Sequence, residues 1–357
     1  MKYIGCDFHP SFQQIAMLDL ETGELVERRL LHASGEAKAF YEAVEGPVVV
    51  GFEASGNTHW FEALLTRLGH ELWMGDATRI RREDLRKQKH DRRDARVILQ
   101  LMVDKRFPKV WIPTVEERDL RQLLMHRHQL VRMRTRVKNQ LQHMAMNQGV
   151  QRKYKLWTEA GLQVLRELEL ETWTRLRRDT LLEMLEELEE KIRPLEQAVK
   201  REVEARPAAQ RLATHPGVGP VIALATVLTM GEVKRFANSR SWVSYLGLNP
   251  RERSSGEKRR MGGISKQGSP FLRFLLVQGA VSAARGDKDL ARMYARLKAK
   301  KHHGAAKVAV ARKLAVRLYW MARTQKPYPE VVRMQGSQSH LVAEVMAVRL
   351  NRPPASR

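Results

Sequence analysis

Four carboxylates stand at positions that suit one metal site. Asp7 and Glu53 each end a short apolar run, and Asp91 and Asp94 lie three positions apart. Short apolar runs predict sheet strands, and two acids at this spacing share one face of a helix. Carboxylate oxygens are hard ligands for Mg²⁺, which keeps water and phosphate in its other positions. Two such ions can hold both oxygens of a phosphodiester displacement, so the pattern predicts phosphoryl transfer with Mg²⁺, or alternatively Mn²⁺.

The charge of the chain indicates which phosphodiester this is. The 357 residues carry a net charge of +24, with 64 Lys and Arg against 40 Asp and Glu. Lys and Arg neutralise phosphates and release counterions, so the predicted partner is a nucleic acid. The cations that precede or follow the acidic pair most closely are Arg79, Arg81, Arg82, Arg86, Lys87, Lys89, Arg92, Arg93 and Arg96. We interpret all of these except Arg86 and Arg96 as candidate nucleic-acid contacts; the alternative is a solvated helix with local salt bridges.

The cysteine content bears on the compartment. Cys6 is the single cysteine and lies in the first apolar run. No disulfide within the chain is possible, which fits a reducing, cytoplasmic compartment. Asp7 and His9 interrupt the apolar start, so no signal peptide is expected. No apolar stretch is long enough to cross a membrane.

The elements that must position the acids follow from the pattern of residues 1 to about 76. Three short strands in a meander precede alternating helices and strands, which is the layout of a ribonuclease-H-like domain. The predicted strands are 2–6, 12–18, 25–31, 47–53 and 71–75, with helices over 37–44 and 59–68. In that fold the first acid lies on the first strand and the second on the fourth, which here are Asp7 and Glu53. Residues 91–102 have helical spacing.

Two long helical patterns follow in the middle of the chain. The first covers about 115–147, and the second contains leucines spaced alternately by four and three between Leu181 and Val199. This spacing predicts a coiled-coil seam. Pro194 is expected to kink or break the second helix. The seam could pack within one chain or form a dimer contact, and we favour the dimer contact.

A further domain begins near Ala208. The segment His215–Pro220 resembles the hairpin of helix-hairpin-helix modules, whose glycines let backbone N–H groups approach a phosphate. A plain tight turn is the alternative. A helix is expected over 221–228.

A glycine-rich, cationic loop covers residues 251–266 and precedes another helix. Ser269 is a candidate cap of that helix, with Pro270 at its first position. A serine in this loop could act as a nucleophile on phosphate or hold a phosphate passively, and spacing alone favours passive binding. Residues 288–325 are again helical and basic, and 341–350 is a candidate short helix.

These patterns predict an α/β plus α architecture. The N-terminal domain is ribonuclease-H-like, the centre is a helical coiled-coil segment, and the C-terminal domain is mostly helical with a helix-hairpin-helix-like element. The boundaries that we assign are 1–110, 111–206, 207–325 and a tail over 326–357.

Several blocks in order along the chain resemble the insertion-sequence one-ten family, also called the DEDD transposases. In the first domain they are Gly5-Cys-Asp7, Gly51-Phe-Glu-Ala-Ser55 and Lys89-His-Asp-Arg-Arg-Asp-Ala95. In the second they are Pro216-Gly-Val-Gly-Pro220, Gly247-Leu-Asn-Pro250, Ser254-Ser-Gly256, Gly263-Ile-Ser-Lys266 and Arg273. Each block alone is unspecific, and the combination is specific. His90 departs from the pattern, where a small polar residue is expected.

The resemblance implies site residues. The four acids would hold Mg²⁺, and Ser254 would be the nucleophile, with Ser255 as its adjacent competitor. The side chains expected to stabilise the developing charge on phosphorus, and to contact nucleic acid, are Lys258, Arg259, Lys266 and Arg273.

The resemblance also implies partners. The active site would be composite, formed between protomers of a homo-oligomer (a dimer or tetramer). A structured, non-coding bridge RNA would pair with donor and target DNA, and the basic helices around 77–140 would bind that RNA.

The predicted function is therefore RNA-guided excision and integration of an insertion sequence. Two alternatives remain open. In the first, the acids alone act as a RuvC-like nuclease or junction resolvase and the serine only binds. In the second, the chain is a non-catalytic nucleic-acid-binding scaffold.

Overall fold

Five short strands form one mixed sheet at the start of the chain. The computed structural model describes residues 1–83, 91–151, 155–252 and 260–332. It divides into an N-terminal unit, Met1–Ile112, and a C-terminal unit, Pro113–Arg357. The strands of the N-terminal unit are β1 Lys2–Phe8, β2 Phe12–Asp19, β3 Leu25–Leu31, β4 Val48–Glu53 and β5 Glu71–Gly75. The predicted strands are confirmed, and β1 runs two residues further than expected, so that Asp7 lies inside it.

The strand order is β3-β2-β1-β4-β5. The first three strands pair antiparallel as a meander, and β4 then runs parallel to both β1 and β5. The central strands are continuous apolar runs because both of their faces are covered. The carboxyl ends of β1 and β4 therefore meet at one edge of the sheet.

Helices cover both faces of this sheet. The helices of the unit are α1 Glu36–Ala43, α2 His59–Arg67, α3 Ala77–Glu83 and α4 Asp91–Val103. On one face Ile4, Cys6 and Phe52 pack with Tyr41 of α1 and Phe61 of α2. On the other face, α4 lies across β1, β2 and β4. This layering buries the even positions of β1 under α1 and α2 and leaves its odd positions facing α4.

The C-terminal unit is mostly helical. Its helices are α5 Val115–Asn147, α6 Glu159–Arg166, α7 Thr172–Glu204, α8 Pro207–Ala213, α9 Pro220–Met230, α10 Ser239–Tyr245, α11 Pro270–Gly286, α12 Lys288–Lys300 and α13 His303–Thr324. Two short strands, β6 Pro250–Glu252 and β7 Met261–Ile264, pair antiparallel. The predicted cap of α11 is confirmed, since the Ser269 side chain accepts a hydrogen bond from the Leu272 N–H and Pro270 is the first helical residue. None of the helices within the four described ranges is both long and apolar enough to span a bilayer.

The leucine seam is buried inside one chain. Leu181, Leu185 and Leu188 of α7 share a core with Val137 and Leu141 of α5. These leucines are therefore covered by a helix of the same chain. We had favoured a dimer contact at this seam. The expected homo-oligomer stays a prediction and must use other surfaces.

Pro194 does not break α7. The helix runs continuously from Thr172 to Glu204, so the predicted break is wrong, whereas a kink at Pro194 stays a prediction. Proline removes one backbone donor and leaves the carbonyl four positions earlier without its helical partner. Pro194 and Glu190 are both exposed, so that carbonyl lies on the solvent side, where water can satisfy it.

The two units divide after Ile112, and the predicted domain boundaries stay predictions. The second predicted boundary, at 206/207, lies inside the C-terminal unit. Leu124 of α5 and Val199 of α7 belong to the same core as Leu224 of α9 and Leu276 of α11. The ends of the two long helices therefore help to form the C-terminal core. The candidate helix at 341–350 lies outside the described residues.

Candidate active site

The register of the two central strands places Asp7 beside Glu53. Cys6 pairs with Phe52 in the parallel ladder, so Asp7 and Glu53 are the next positions along β1 and β4. Neighbouring strands lie about 5 Å apart, and registered residues point to the same face. That face is the one covered by α4, the helix that carries Asp91 and Asp94.

Two glycines let α4 lie directly on the sheet. Gly5 pairs with Gly51, each two positions before an acid. A Cβ added to Gly5 would lie 2.3 Å from the carbonyl oxygen of Ala95 and 2.5 Å from the backbone nitrogen of Leu99. A Cβ added to Gly51 would lie 2.3 Å from the sulfur of Met102. The close approach of α4 at Gly5 holds the first turn of that helix beside the carboxyl end of β1.

Three side chains meet at this edge. The His9 Nε2 atom lies 3.1 Å from Asp7 Oδ2 and 3.7 Å from Asp91 Oδ1. One ligand atom from each of Asp7, His9 and Asp91 falls within 4.8 Å of the others, the one such trio within the described ranges. Two carboxylates and an imidazole form a donor set that suits a divalent cation, with carboxylate favouring Mg²⁺ or Mn²⁺ and imidazole favouring transition metals.

The other two predicted acids lie outside this trio. The Glu53 Oε2 atom lies 3.7 Å from an Arg81 guanidinium nitrogen. Asp94 is half-buried, one helical turn after Asp91. Thus Asp7 and Asp91 come within ligand distance, while Glu53 and Asp94 flank them on β4 and α4. All four stand on the same side of the sheet.

His9 was not predicted as a site residue. It follows β1 at the second position after Asp7, so the two side chains share a face when the chain is extended. Its ring stacks on Phe12, with centroids 4.6 Å apart and planes 21° apart. This Asp-x-His spacing was the available signal. Phe12, at the start of β2, holds the imidazole at the edge of the sheet.

On the opposite face of β1, next to Asp7, Cys6 is fully buried in the core. Burial raises the pKa of the Cys6 thiol far above its ordinary value, and the Asp7 charge raises it further. The thiol donates a hydrogen bond to the Gln13 side-chain oxygen at 3.2 Å. Cys6 is therefore a protonated core residue, as expected.

The candidate nucleic-acid cations of the N-terminal unit differ in their surroundings. Arg79 lies 4.0 Å from Asp76, and Arg81 faces Glu53 as described above. Arg82 and Arg92 are exposed, Arg93 is half-buried, and Lys87 and Lys89 lie outside the described residues. Their proposed role remains a prediction. Arg96, which we did not assign to nucleic acid, pairs with Glu27 on β3 and lowers the pKa of that carboxyl.

The serine segment connects two paired strands. Pro250 of β6 pairs with Ile264 of β7, and Glu252 pairs with Met261. Ser254, Ser255, Lys258 and Arg259 belong to 253–259, which lies outside the described residues. Residues 251–266 were expected to be a loop; its two ends are strands instead.

The base of this hairpin is held by the blocks that resemble the DEDD transposases. The Ser265 hydroxyl donates to the Asn249 side-chain oxygen at 2.8 Å, and the Lys266 N–H donates to the Gly247 carbonyl at 3.0 Å. Gly247 has φ 67°, and a Cβ there would lie 2.1 Å from the Gln267 carbonyl oxygen. Only glycine suits this position, because both the backbone angle and the space exclude a side chain. Lys266 itself has φ 59° and is exposed, as a phosphate contact would require.

Arg273 fastens the same turn to α11. Its Nη1 atom donates to the carbonyl oxygens of Leu246, Gln267 and Gly268 at 3.1, 2.5 and 3.1 Å. Burial lowers the pKa of its guanidinium. Arg273 thus has a structural role at the base of the hairpin, and its predicted contact with phosphate stays a prediction.

The helix-hairpin-helix-like segment is packed on its glycine side. Gly217 has φ 80°, and a Cβ there would lie 2.3 Å from the backbone nitrogen of Ala283 on α11. Gly219 and Pro220 are exposed at the start of α9. The tight turn is therefore present, and phosphate binding by it remains a prediction.

Comparison with known proteins identifies the family. Residues 4–147 match the family model of the DEDD transposases of the IS110 type, and residues 209–295 match the model described as "Transposase IS116/IS110/IS902 family". The first match contains all four acids, and the second contains both candidate serines. The chain belongs to the IS116/IS110/IS902 family of transposases. It is thus a transposase, an enzyme that cleaves and recombines DNA.

Curated relatives agree with this assignment. A "probable family 20 transposase" of Pseudomonas aeruginosa is 28% identical over 80% of this chain and 85% of its own length. The "transposase for insertion sequence element IS1111A" of Coxiella burnetii is 28% identical over 81% of this chain and 79% of its own. The "transposase for insertion sequence element IS1328" of Yersinia enterocolitica is also 28% identical, over 78% and 84%. The DEDD type of the N-terminal unit and its Asp7–His9–Asp91 trio both indicate use of a divalent metal.

Proposed function

We propose that this transposase excises and integrates an insertion sequence by Mg²⁺-dependent phosphoryl transfer with a serine nucleophile. The observation that carries the proposal is the convergence of Asp7, Asp91 and His9 at the carboxyl edge of a sheet whose strand order is that of ribonuclease-H-like domains. Glu53 and Asp94 on the same side complete a set of four carboxylates. When bound, Mg²⁺ would polarise the scissile phosphate and neutralise its charge.

The acids, the serine and the cations of the chain would have separate roles in the reaction. Asp7 and Glu53 stand on adjacent central strands, so the sheet fixes their spacing, and Asp91 and Asp94 are held by the close contact of α4 with Gly5. The Ser254 hydroxyl would lose its proton and form a bond to phosphorus while a DNA oxygen leaves with a proton. Lys258, Arg259, Lys266 and Arg273 would stabilise the charge that develops on the phosphate oxygens. Ser255 is the competing nucleophile.

The partners in this proposal are DNA, a structured guide RNA and further copies of the chain. A net charge of +24 supports the polyanionic partners. Relatives named for insertion sequence elements support DNA of an element as the substrate. The guide RNA, the composite site between protomers and the cytoplasmic location are carried over from the family resemblance.

A second function is favoured by one observation. Asp7, His9 and Asp91, which come within ligand distance of one another, all belong to the N-terminal unit. A metal-only nuclease or junction resolvase would need nothing more. The serine would then only bind phosphate.

A covalent-trap assay separates the two functions. The full-length protein, Mg²⁺, RNA transcribed from the flanking region and labelled element-end DNA are incubated, denatured and run on a gel. Ser254→Ala, Ser255→Ala and Asp7→Asn are run beside the parent protein. We expect a protein–DNA band that disappears with Ser254→Ala and Asp7→Asn and persists with Ser255→Ala.

Other results would change the proposal in defined ways. Loss of the band with Ser255→Ala alone would move the nucleophile by one residue. Cleaved DNA without any covalent band, in all variants except Asp7→Asn, would establish the metal-only function. Unchanged activity of Asp7→Asn in every assay would leave a non-catalytic scaffold.

The role of His9 can be tested by metal binding alone. Imidazole strengthens binding of Mn²⁺ more than of Mg²⁺, because Mg²⁺ prefers oxygen ligands. We therefore expect His9→Asn to weaken Mn²⁺ binding by roughly tenfold or more while Mg²⁺ binding changes little. Free Mn²⁺ is followed by electron paramagnetic resonance and Mg²⁺ by competition. His126→Asn, an exposed histidine of α5, is the control. An equal loss for both ions would show that His9 only orients the carboxylates.

A further inference from the structure

A groove of about 1070 Å³ runs along α5 in the C-terminal unit. Residues of α7 and α11 complete its walls. Along α5 the lining side chains recur every three or four positions, from His128 through Arg132, Arg136 and His143 to Asn147. One face of α5 therefore lines the groove. The lined stretch of the helix is about 30 Å long, at 1.5 Å per residue.

The cations of α5 differ in their partners. Arg127, at one end of the groove, pairs with Glu196 of α7. Arg134 and Lys138 both pair with Glu189 of α7, at 2.8 and 2.9 Å. These cations join the two helices. Arg132 and Arg136 lie on the groove face, are exposed, and form no ion pair with any residue that the structure describes. A third arginine of the groove face, Arg177 on α7, donates to the neutral Gln140 side chain at 3.0 Å and has no ion-pair partner within the described ranges.

The lining of the groove contains no acidic side chain among the described residues, and its neutral members are rich in amides and hydroxyls. Three arginines without a carboxylate partner in this surface create a field that attracts a polyanion. Amide side chains such as Asn139 and Gln140 add neutral donors and acceptors. The arginines and amides of the lining fit a phosphodiester backbone, and its exposed apolar side chains, among them Met133 and Phe274, offer surface to the bases.

One end of the groove carries an aromatic platform. The His128 ring lies 5.0 Å from both Phe271 and Phe274 of α11. Phe274 is 44% exposed although it is fully apolar. Burial, together with the charges of Arg132 and Arg127, lowers the pKa of His128, which keeps its ring neutral at neutral pH. Exposed rings beside phosphate-binding cations are typical of sites for unpaired bases, since a duplex hides the base faces.

We propose that this groove binds an unpaired DNA strand, with phosphates on Arg132, Arg136 and Arg177 and a base stacked on Phe274. The choice of DNA rests on the proposed function, because cutting and exchanging strands releases ends that are no longer paired. The part of its lining that the structure describes lies on α5, α7 and α11. Arg132 and Arg136 lie in the basic helices around 77–140 that the family resemblance assigns to RNA, so the test includes RNA as a competing ligand.

The test is photo-crosslinking of the full-length protein, with EDTA present, to oligothymidylate that carries one 5-iododeoxyuridine. Trypsin releases Phe274–Arg285 and His128–Arg132 as separate peptides, because each follows an arginine and ends at one. We expect the crosslinked base on one of these two peptides. In fluorescence anisotropy, Arg132→Ala/Arg136→Ala should reduce the salt dependence of binding by a slope of about 1.4, since each phosphate on a single strand contributes about 0.7. Phe274→Leu should weaken binding by roughly five- to hundredfold and remove the crosslink.

Arg193→Ala/Arg201→Ala is the matched control. It removes two exposed arginines of α7 that lie outside the groove and should leave the slope and the crosslink unchanged. Unfolding temperatures of all variants should match the parent, since the altered side chains are exposed. Crosslinks on other peptides would contradict the proposed binding site. So would equal effects of Arg132→Ala/Arg136→Ala and Arg193→Ala/Arg201→Ala on the salt dependence of binding. Tighter binding of oligouridylate would assign it to RNA, and tighter binding of duplex with no effect of Phe274→Leu would reject the unpaired strand.

This experiment is separable from the proposed function. It requires no cleavage and no metal, so Asp7→Asn protein should crosslink as the parent does. If no strand binds in the groove, the result of the covalent-trap assay is unaffected. If no covalent band forms, the groove remains a binding site for an unpaired strand without an assigned purpose.

Discussion

Gly5→Ala is expected to abolish DNA strand cleavage and to destabilise the N-terminal unit, whereas Gly51→Ala keeps most of both. The added methyl at Gly5 meets backbone atoms, 2.3 Å from the Ala95 oxygen and 2.5 Å from the Leu99 nitrogen. These atoms move only if α4 moves. We expect a loss of about 3 kcal/mol in the free energy of unfolding, at the upper end for overpacked cores.

The methyl at Gly51 meets a side chain instead. Its nearest neighbours are the sulfur, Cε and Cγ atoms of Met102, at 2.3, 3.1 and 3.2 Å. Methionine is unbranched and can change rotamer, so the cost should be about 1 kcal/mol. The two variants add the same methyl at paired positions of adjacent strands. They differ in whether the helix backbone must shift.

The functional consequence follows from where α4 begins. Asp91 is its first residue, one turn before Ala95, which contacts Gly5. Displacing the helix at Ala95 therefore displaces Asp91 from Asp7 and His9. A shift of about 1 Å in a catalytic group can cost 100-fold in rate, and a larger shift would separate the metal ligands.

Calorimetry and a cleavage assay check this prediction together. Gly56→Ala is the control for stability, because a Cβ there meets nothing within 4 Å and the backbone angle is ordinary. Gly5→Ala protein with the stability and cleavage rate of the parent would contradict the placement of α4. Equal losses in Gly5→Ala and Gly51→Ala would show that Met102 is as rigid as the helix backbone.

The sequence alone was enough to locate the strands that carry Asp7 and Glu53, because a short apolar run bounded by turn residues predicts the approximate position of a strand. It did not reveal why α4 reaches them. The pairing of Gly5 with Gly51 depends on the register between β1 and β4. The paired residues, such as Lys2 and Val48, are 46 positions apart in sequence, beyond the reach of any local pattern. His9 was missed for a related reason. Its role depends on Asp91, which lies on another element.

Other differences have local causes. Strands β6 and β7 were taken for loop because they are short, exposed and rich in glycine and charge, so they show no apolar alternation. The break at Pro194 was expected from the cost of proline inside a helix, but that cost is tolerable on an exposed face. Leu181, Leu185 and Leu188 of α7 are buried against α5, and periodicity alone could not say whether the helix that covers them belonged to the same chain.

The largest feature that sequence could not reveal is a buried polar cluster in the C-terminal unit. Asp287 and Arg317, 3% and 2% exposed, form an ion pair between the start of α12 and the middle of α13. The Tyr328 hydroxyl donates to Asp287 at 2.9 Å, and burial with the Asp287 charge raises the pKa of that phenol to about 12. His215 lies against the Tyr328 ring, and burial lowers its pKa to about 4. In this buried cluster the positive charge of Arg317 therefore balances the negative charge of Asp287.

We expect Asp287→Ala to lower the free energy of unfolding of the C-terminal unit by about 4 kcal/mol, because the buried Arg317 charge loses its buried partner and keeps the contact with the exposed Asp289 carboxylate. It also removes a helix cap, since Asp287 accepts from the N–H groups of Asp289 and Leu290. Calorimetry of the full-length protein, which resolves separate transitions, measures the loss. Asp289→Ala is the matched control: Asp289 also contacts Arg317, at 3.2 Å, but its side chain is 55% exposed, so the loss should stay below about 1 kcal/mol.

A double variant distinguishes the two causes. In Asp287→Ala/Arg317→Met the buried charge of Arg317 is gone and an unbranched apolar side chain occupies the space of the arginine stem. Because replacing a buried ion pair by apolar groups is often close to neutral, most of the lost stability should return, and the remaining deficit should be about the 1 kcal/mol of a missing cap. If the double variant were less stable than Asp287→Ala, the arginine would stabilise the fold through its other contacts, with Asp289 and Tyr328, and not through its pairing with Asp287.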